Sequence, residues 1–489
     1  MPKSACVIGS GFAGLSAACH LAKAGYDVQL LEKNATPGGR ARSFEEQGFR
    51  FDMGPSWYWM PDVFEGFFNA FGKQVSDYYQ LIRLDPSYAV KFDDETINIP
   101  ASMPEFEAMC ESLEPGSSKQ LRQFLDQAAY KYEVGINDLV HKPSRSLSEF
   151  FDSRLLYGLL KMDVFTSMRS HVRKFFKSEK LRQLMEFPIL FLGATPSNTP
   201  ALYSLMNYAD ISLGTWYPEG GMHEIVKGMV SLSEELGVKI LTNQEVKSFD
   251  YDHKSISKVR TDQGEFSADV VVAAADYHHI DQKVLDPRYA NYSKRYWDQR
   301  VMAPSSLLYY VGLDIELPKM LHHVLFFDED FDAHAKEIYE QPKWPTAPLL
   351  YASATSRTDN TVAPKGCENL FILIPVAPSL EDTDEIRERY FEMAISKLEK
   401  YNEVNIRDHI VVKRSYAHKD FISDYHSFRG NAYGLANTLR QTALLKPSLK
   451  NRKLKNLYFA GQLTVPGPGV PPSLISGEVV ANEIVKDFG

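Results

Sequence analysis

At 489 residues the chain is long enough for two interleaved domains and too long for one small core. Its hydrophobic content of 44% and charged content of 24% are those of an ordinary globular protein, and a formal net charge of -9 lacks the basic footprint that a nucleic-acid partner requires. Four cysteines (Cys6, Cys19, Cys110 and Cys367) show no CxxC or metal-ligand spacing and imply a reducing, cytoplasmic setting.

Met1-Pro2-Lys3-Ser4 passes at once into Ala5-Cys6-Val7-Ile8, so a buried parallel strand is expected and a secretory leader is not. Gly9-Ser10-Gly11-Phe12-Ala13-Gly14 follows, then a small, helix-permissive stretch to Lys23 that closes at Gly25. A second strand, Asp27-Val28-Gln29-Leu30-Leu31, ends on Glu32, an acid about 20 residues beyond the glycine turn. Gly9 allows the tight turn, Gly11 lets the backbone approach a pyrophosphate, and Gly14 lets helix and strand pack closely. The amides and dipole at the helix start attract phosphate charge, and Glu32 can accept both hydroxyls of an unphosphorylated ribose. Strand, turn, helix, strand and acid in register predict dinucleotide binding.

The loop after the acid does not continue as a nicotinamide-binding unit does. Pro37-Gly38-Gly39-Arg40-Ala41-Arg42-Ser43 supplies a second glycine pair with arginines, and Phe51-Asp52-Met53-Gly54-Pro55-Ser56 follows. Trp57, Trp59 and the aromatics from Phe64 to Phe71 fit either a helix with a buried aromatic face or the lining of an apolar tunnel. Residues 84–99 read as strands, and Pro100 and Pro104 mark the start of a helical region over 103–207, broken at Pro115-Gly116, Pro143, Pro188 and Pro196. Within it, residues 150–168 are rich in apolar and aromatic side chains, and Arg169, Arg173, Lys174, Lys177, Lys180 and Arg182 follow. A basic, aromatic helical segment in an acidic protein is the profile of a surface that docks on anionic lipid. No apolar run approaches the roughly 18 residues of a membrane span.

Trp216-Tyr217-Pro218-Glu219-Gly220-Gly221 opens a helix expected from His223 to Leu236, and Val238 to Leu241 reads as a strand. A hairpin over 255–266, a buried strand over 269–275, and further strands over 305–312, 349–353 and 370–376 are expected. His278-His279 and His322-His323 have no carboxylate or cysteine at ligand spacing, so they are expected as loop histidines, with no metal. Near the end, a strand from Asn456 delivers Gly461. Gln462-Leu463-Thr464-Val465-Pro466-Gly467-Pro468-Gly469-Val470-Pro471-Pro472 passes a ligand, and Ser473 is expected to begin the last helix. Such a loop sets a helix N-terminus and bare amides where they can stabilise charge on a reduced cofactor ring. No Ser/His/Asp or Cys/His arrangement names a catalytic residue.

These motifs resemble those of the flavoproteins that include amine oxidases, protoporphyrinogen oxidases and carotenoid desaturases. The match is closest to the bacterial phytoene desaturases and their carotenoid-desaturase relatives, through Gly461, Thr464, Pro466, Gly467, Gly469 and Pro471 together with the motifs at Gly38-Gly39-Arg40, Asp52-x-Gly54 and Trp216-Tyr217-Pro218. Val465 departs from the pattern, since many members carry histidine there. Amine oxidases usually have an acid where Gln462 stands, and they lack the Pro-Gly-Pro-Gly loop. The GDP-dissociation inhibitors keep the fold without FAD, a reading that Glu32, Arg40 and the C-terminal loop argue against.

The resemblance implies an α/β chain in which a Rossmann-like FAD-binding domain of the GR2 type is interleaved with a mixed α+β substrate domain. The FAD-binding parts are expected at 1–95, 216–285 and 421–489, and the substrate parts at 96–215 (helical, with membrane contact) and 286–420. It implies FAD contacts from Gly9, Gly11, Phe12, Ala13, Gly14, Glu32, Lys33, Gly39, Arg40, Pro55, Ser56, Val246 (whose backbone meets the adenine), Gly461, Gln462, Gly469, Val470 and Pro471. The implied activity is desaturation of a long acyclic polyene by hydride transfer to flavin N5, phytoene first and a 1-hydroxycarotenoid oxidised at C3–C4 as the alternative. An amine or protoporphyrinogen oxidase is the more distant alternative. Oxygen or a quinone is the implied electron acceptor, and the implied location is cytoplasmic and peripheral to a membrane.

Overall fold

A computed structural model of the chain describes residues 2–146, 149, 163, 166–192, 195–438 and 441–489. Five parallel strands form one sheet, in the order Leu457–Phe459, Val270–Ala273, Ser4–Ile8, Asp27–Leu31 and Lys239–Leu241. They come from three separated stretches of chain. Their apolar runs show little polar alternation because both faces are covered. Ala5, Val7, Leu30 and Val272 pack with the helices Phe12–Lys23, His223–Glu235 and Val470–Phe488. Cys6, Ile8, Leu31 and Val271 pack with Phe249, Val259, Tyr277 and Trp297 on the other face. The first and last helices cross so closely that a Cβ on Gly477 would lie 2.3 Å from the Ala13 carbonyl oxygen.

The expected hairpin at 255–266 is part of a three-stranded antiparallel sheet, Val246–Asp252, Ser255–Thr261 and Glu265–Ser267. A larger sheet of seven strands runs Ile410–Tyr416, Ser305–Leu313, Glu368–Val376, Leu350–Ser353, His323–Phe327, Tyr88–Phe92 and Thr96–Ile99. The chain enters this sheet at Tyr88, ahead of the division expected after residue 95, because Tyr88–Phe92 pairs in parallel with His323–Phe327. Ser305–Leu313 is buried along its whole length. Its alternation sends Leu307, Tyr309, Val311 and Leu313 into the core beneath the helix Asp384–Asn402, and Leu308 and Tyr310 to the opposite face.

The helical region holds Met103–Leu113, Ser117–Val134, Met168–Phe175 and Glu179–Glu186. Its basic residues are mostly engaged with acids of the protein itself. Arg169 pairs with Asp332 and Glu186, Arg173 and Arg182 with Glu179, and Lys180 with Asp94 and Glu95. Residues 150–162, 164 and 165, the aromatic part of the expected lipid-facing segment, lie outside the described residues. Among the described residues, no helix is long and apolar enough to cross a membrane.

Candidate functional site

The glycine turn joins the strand Ser4–Ile8 to the helix Phe12–Lys23, and its glycines act differently. A Cβ on Gly14 would sit 1.9 Å from the Gly9 carbonyl oxygen, so packing inside the turn forces glycine there. Gly11, at φ -71° and ψ 178°, has backbone angles open to any residue, and a Cβ there would meet only the Gly39 Cα, at 4.0 Å. What glycine preserves at position 11 is therefore space in front of the turn. Glu32 is buried at the end of the second strand, and both carboxylate oxygens are oriented. Oε2 accepts from Ser10 N at 3.0 Å and Ser10 Oγ at 2.6 Å, and Oε1 accepts from Asn34 N at 2.8 Å and Nδ2 at 3.0 Å.

The second glycine pair packs onto the first turn. Gly38 N donates to the Ser10 carbonyl at 3.0 Å, and a Cβ on Gly39 would lie 3.2 Å from the Gly11 Cα. The later motifs lock onto this loop. A Cβ on Gly54 would come within 2.4 Å of the Arg40 carbonyl oxygen. The Asp52 carboxylate caps the helix His223–Glu235 by accepting from Met222 N at 2.7 Å and His223 N at 3.0 Å, and burial pushes it up to about 6. Only glycine fits beside it, since a Cβ on Gly221 would lie 2.7 Å from Asp52 Oδ2.

This framework aims Arg40 into the interior. Its Nη2 donates to Ser427 Oγ at 3.1 Å and the Asn431 carbonyl at 3.4 Å, and the guanidinium lies 5.1 Å from the Tyr425 ring centroid. Its Nε is buried with no hydrogen-bond partner among the described residues. Burial lowers its pKa, and Asp276 partly offsets that effect. Burial likewise pushes Asp276 up to about 6, although His279 N and Phe428 N donate to it at 3.0 and 3.2 Å. A half-buried cation with a buried, unused N–H and no ion-pair partner among the described residues is a site for an anion. Together with the glycine turns and Glu32, it fits a dinucleotide diphosphate. Lys33, on the other hand, has its ammonium on the Ser423 carbonyl and 3.3 Å from His426 Nε2.

At the C-terminal loop, Gly461 N donates to Ser476 Oγ at 2.9 Å, and Ser476 Oγ donates to the Val465 carbonyl at 2.7 Å. The last helix starts at Val470, earlier than the expected Ser473, because Pro471 and Pro472 occupy its first turn, where proline is compatible with helical geometry. The two prolines carry no N–H and Ser473 N donates to the Gly469 carbonyl, so Val470 supplies the amide that the first turn can offer a ligand. Asn431 ties this loop to the Arg40 side, since its Oδ1 accepts from Gly434 N at 2.7 Å and Gln462 Nε2 at 3.3 Å.

One cavity of about 460 Å³ runs through all of this. Gly9, Gly11, Phe12, Ala13, Glu32, Lys33, Gly39, Arg40, Pro55, Ser56, Val246, Gly461, Gln462, Gly469, Val470 and Pro471 line it; Gly14 does not, in keeping with its packing role. Beyond Pro55-Ser56 the wall turns apolar and aromatic, with Trp57, Trp59, Phe187, Leu308, Phe327 and Leu373. Of the two readings of the aromatic stretch, Trp57 and Trp59 line the tunnel, whereas Phe64 and Phe68 are buried in the core of the five-stranded sheet.

His322 lies in a bend ahead of a strand, as expected, but the other three paired histidines are not loop residues. His323 begins a strand, is fully buried, stacks on Trp57 at 4.2 Å, and shares a 2.7 Å hydrogen bond with Tyr351 Oη. His278 and His279 form a helical turn and stack on Phe428 and His426, each at 3.9 Å. A histidine at a strand start carries no strand signature, which is why the pattern missed His323. Sequence reasoning also passed over Ser306, Tyr339 and the stretch Ser427 to Gly434; its available signal was Gly430-Asn431-x-x-Gly434, whose glycines both have positive φ.

The flavin-containing amine oxidoreductase family matches residues 12–485. The chain is 42% identical over 485 residues to the carotenoid 3,4-desaturase of Haloarcula japonica, covering 99% of this chain and 98% of that one. It is 32% identical over 491 residues to the zeta-carotene-forming phytoene desaturase of Myxococcus xanthus, covering 98% and 93%. Putrescine oxidase bound to putrescine has the same fold, with a TM-score of 0.62 at 15% identity over 99% of both chains.

Proposed function

The chain belongs to the flavin-containing amine oxidoreductase family, and from that premise we propose that it is an FAD-dependent carotenoid desaturase. The observation that carries the reading is a single cavity that joins the diphosphate-binding end to an apolar aromatic tunnel. A long hydrocarbon offers few polar handles, so recognition must come from a tunnel that fixes its depth and register.

The glycine turns, Glu32, Arg40 and the C-terminal loop would hold FAD, which when bound would supply a hydride acceptor for one broken carbon–hydrogen bond, the proton from the adjacent carbon passing to the reduced flavin or to water. The protein holds the neighbouring bond in place and keeps water away with Trp57, Trp59, Phe187 and the sheet residues Leu308 and Leu373. Oxidation at C3–C4 of a carotenoid is favoured over oxidation of phytoene by the 42% identity to a 3,4-desaturase along nearly the whole chain. The polyene is drawn from a membrane surface, as its insolubility in water demands, and oxygen or a quinone removes the electrons. Residues 1–95, 216–285 and 421–489 are the cofactor-binding part, with Tyr88–Phe92 assigned to the substrate sheet.

The test is product analysis after incubating FAD-loaded protein in liposomes with phytoene or with a carotenoid saturated at C3–C4. The expected product is two hydrogens lighter, with its new double bond at C3–C4. Unchanged carotenoid in both cases, with FAD bound, contradicts the reading.

A further inference from the structure

The aromatic wall of the tunnel has a carboxylate behind it. Trp59 lines the cavity together with Phe187, Met206 and Phe327, and its indole Nε1 donates to Thr215 Oγ1 at 2.8 Å. The Thr215 hydroxyl accepts that bond and donates its own proton to Asp210 Oδ1 at 3.3 Å. The Tyr88 hydroxyl donates to Asp210 Oδ2 at 2.7 Å. Trp59, Thr215, Asp210 and Tyr88 are all buried. The cation that acts on Asp210 is Arg83, and it gives its hydrogen bonds to the Leu213 and Ala101 carbonyls, each at 3.3 Å. Both hydrogen bonds to the carboxylate thus come from neutral hydroxyls.

A wall that only excludes water has no use for a buried acid. Two hydroxyls offset little of the desolvation of a carboxylate, and burial raises Asp210 to about 7 in spite of them. The other groups facing it do not change charge near that pH. Burial and Asp210 itself raise the Tyr88 phenol well above its usual value, burial holds the Cys110 thiol beyond it up to about 12, and Arg83 stays a cation. The backbone here is unusual as well. Asp210 lies in a π-helical turn, Tyr208–Leu213, a wide geometry that recurs at functional sites. Met60, next to Trp59 and also on the cavity wall, is a non-glycine residue in the left-handed region, at φ 60° and ψ 54°. Charge and strain converge on one indole.

Hydrogen bonds that all donate toward one anion polarise every member of the chain. Ionised Asp210 draws the Thr215 and Trp59 protons toward itself, which enriches the indole face in electrons and strengthens its attraction for a cation. Desaturation creates such a cation. Loss of a hydride leaves positive charge on the carotenoid, spread along its conjugated bonds until the adjacent carbon gives up its proton. A delocalised charge reaches any ring that lines the chain, so Trp59 need not adjoin the carbon that is oxidised. We propose that Trp59, polarised by Asp210 through Thr215, is a catalytic residue that stabilises the positive charge on the carotenoid, with Asp210 and Thr215 as its positioning residues. The inference rests on the carotenoid-desaturase reading and adds to it the part of the wall that holds the transient charge.

The test uses FAD-loaded full-length protein in liposomes, with a carotenoid saturated at C3–C4 as substrate. Wild-type kcat is expected to rise ~10-fold with pH through about 7 while KM stays level, since the carboxylate acts on charge that is absent from the bound substrate. Asp210→Asn and Thr215→Val should each remove the rise and leave kcat ~10-fold below wild type at high pH. A second measurement needs no turnover: equilibrium binding of dodecyltrimethylammonium, short enough to slide along the tunnel, against its tert-butyl isostere. Wild type is expected to favour the cation ~10-fold more than Trp59→Leu does, and Trp59→Phe to keep a smaller preference that no longer varies with pH. A rise with pH that persists in Asp210→Asn and Thr215→Val, whatever their activity, overturns the proposal while leaving the desaturase reading in place. A cation preference equal in wild type and Trp59→Leu does the same. A protein that binds FAD but oxidises no carotenoid at any pH overturns both.

Discussion

Replacing Gly11 with alanine separates the ligand role of the glycine turn from its folding role. The backbone at Gly11 is ordinary for alanine, and the nearest atom to the new methyl is the Gly39 Cα at 4.0 Å. A small loss in helix capping and a gain of ~0.4–1 kcal/mol from the stiffer unfolded chain nearly cancel, so the apo protein keeps its stability to within ~0.5 kcal/mol. The methyl instead fills the space kept for the diphosphate. Losing one charge-assisted hydrogen bond of ~1.5–3 kcal/mol weakens FAD binding by ~10- to 100-fold. Gly14→Ala is the contrast: its methyl meets a backbone oxygen at 1.9 Å, so helix and turn must move apart, at ~1–3 kcal/mol or more in the apo protein itself. Thermal unfolding of the apo forms by circular dichroism and FAD titration by fluorescence measure the two effects. Wild-type FAD affinity in Gly11→Ala, or equal destabilisation of both apo variants, refutes the division of roles.

Arg40→Met removes a half-buried cation whose buried Nε is unpartnered. The apo melting temperature should be unchanged or higher, and the rise on adding FAD smaller; a lower apo melting temperature with a normal FAD response contradicts this. Stability should rise with pH from about 4.5 to 6.5. Burial holds His20, His171 and His278 neutral down to about 4, and His279 and His322 down to about 3, so the unfolded chain takes up five protons there that the folded one refuses. Asp52 and Asp276, raised to about 6, and Asp210, raised to about 7, oppose this by holding up to three protons in the folded state that the unfolded carboxyls have released. The histidines outnumber them, and a denaturation midpoint that falls as pH rises through this range contradicts the balance. Burial pushes the Cys6, Cys19 and Cys110 thiols up to about 12, so iodoacetamide should label only Cys367 in the native protein, as peptide mass analysis would show.

The parts of the site legible in the sequence are those where backbone geometry dictates residue type. Gly14 and Gly54 stand where a side chain collides with neighbouring backbone, Gly9 and Gly39 where the backbone takes a positive φ, and Glu32 sits at a fixed offset from the turn. The buried central strands, such as Val270–Ala273, Ser305–Leu313 and Glu368–Val376, were legible as apolar runs, because burial on two faces leaves little room for polar alternation, whereas the half-exposed edge strand Ile410–Tyr416 and the strand His323–Phe327 were not. Other features depend on the third dimension. Asn431 matters because it bridges Arg40 and Gln462 from a loop of its own. The start of the last helix was misplaced because Pro471-Pro472 reads as loop until the first-turn tolerance of proline is applied.

The central claim is that one cavity binds FAD at one end and a carotenoid at the other for oxidation. Anaerobic mixing of the FAD-loaded protein with a carotenoid saturated at C3–C4, in liposomes, tests it most directly when flavin and polyene absorption are followed together. The account predicts bleaching of the flavin in step with a shift of the polyene band to longer wavelength, one flavin per new double bond. Flavin that stays oxidised while the carotenoid is bound contradicts it.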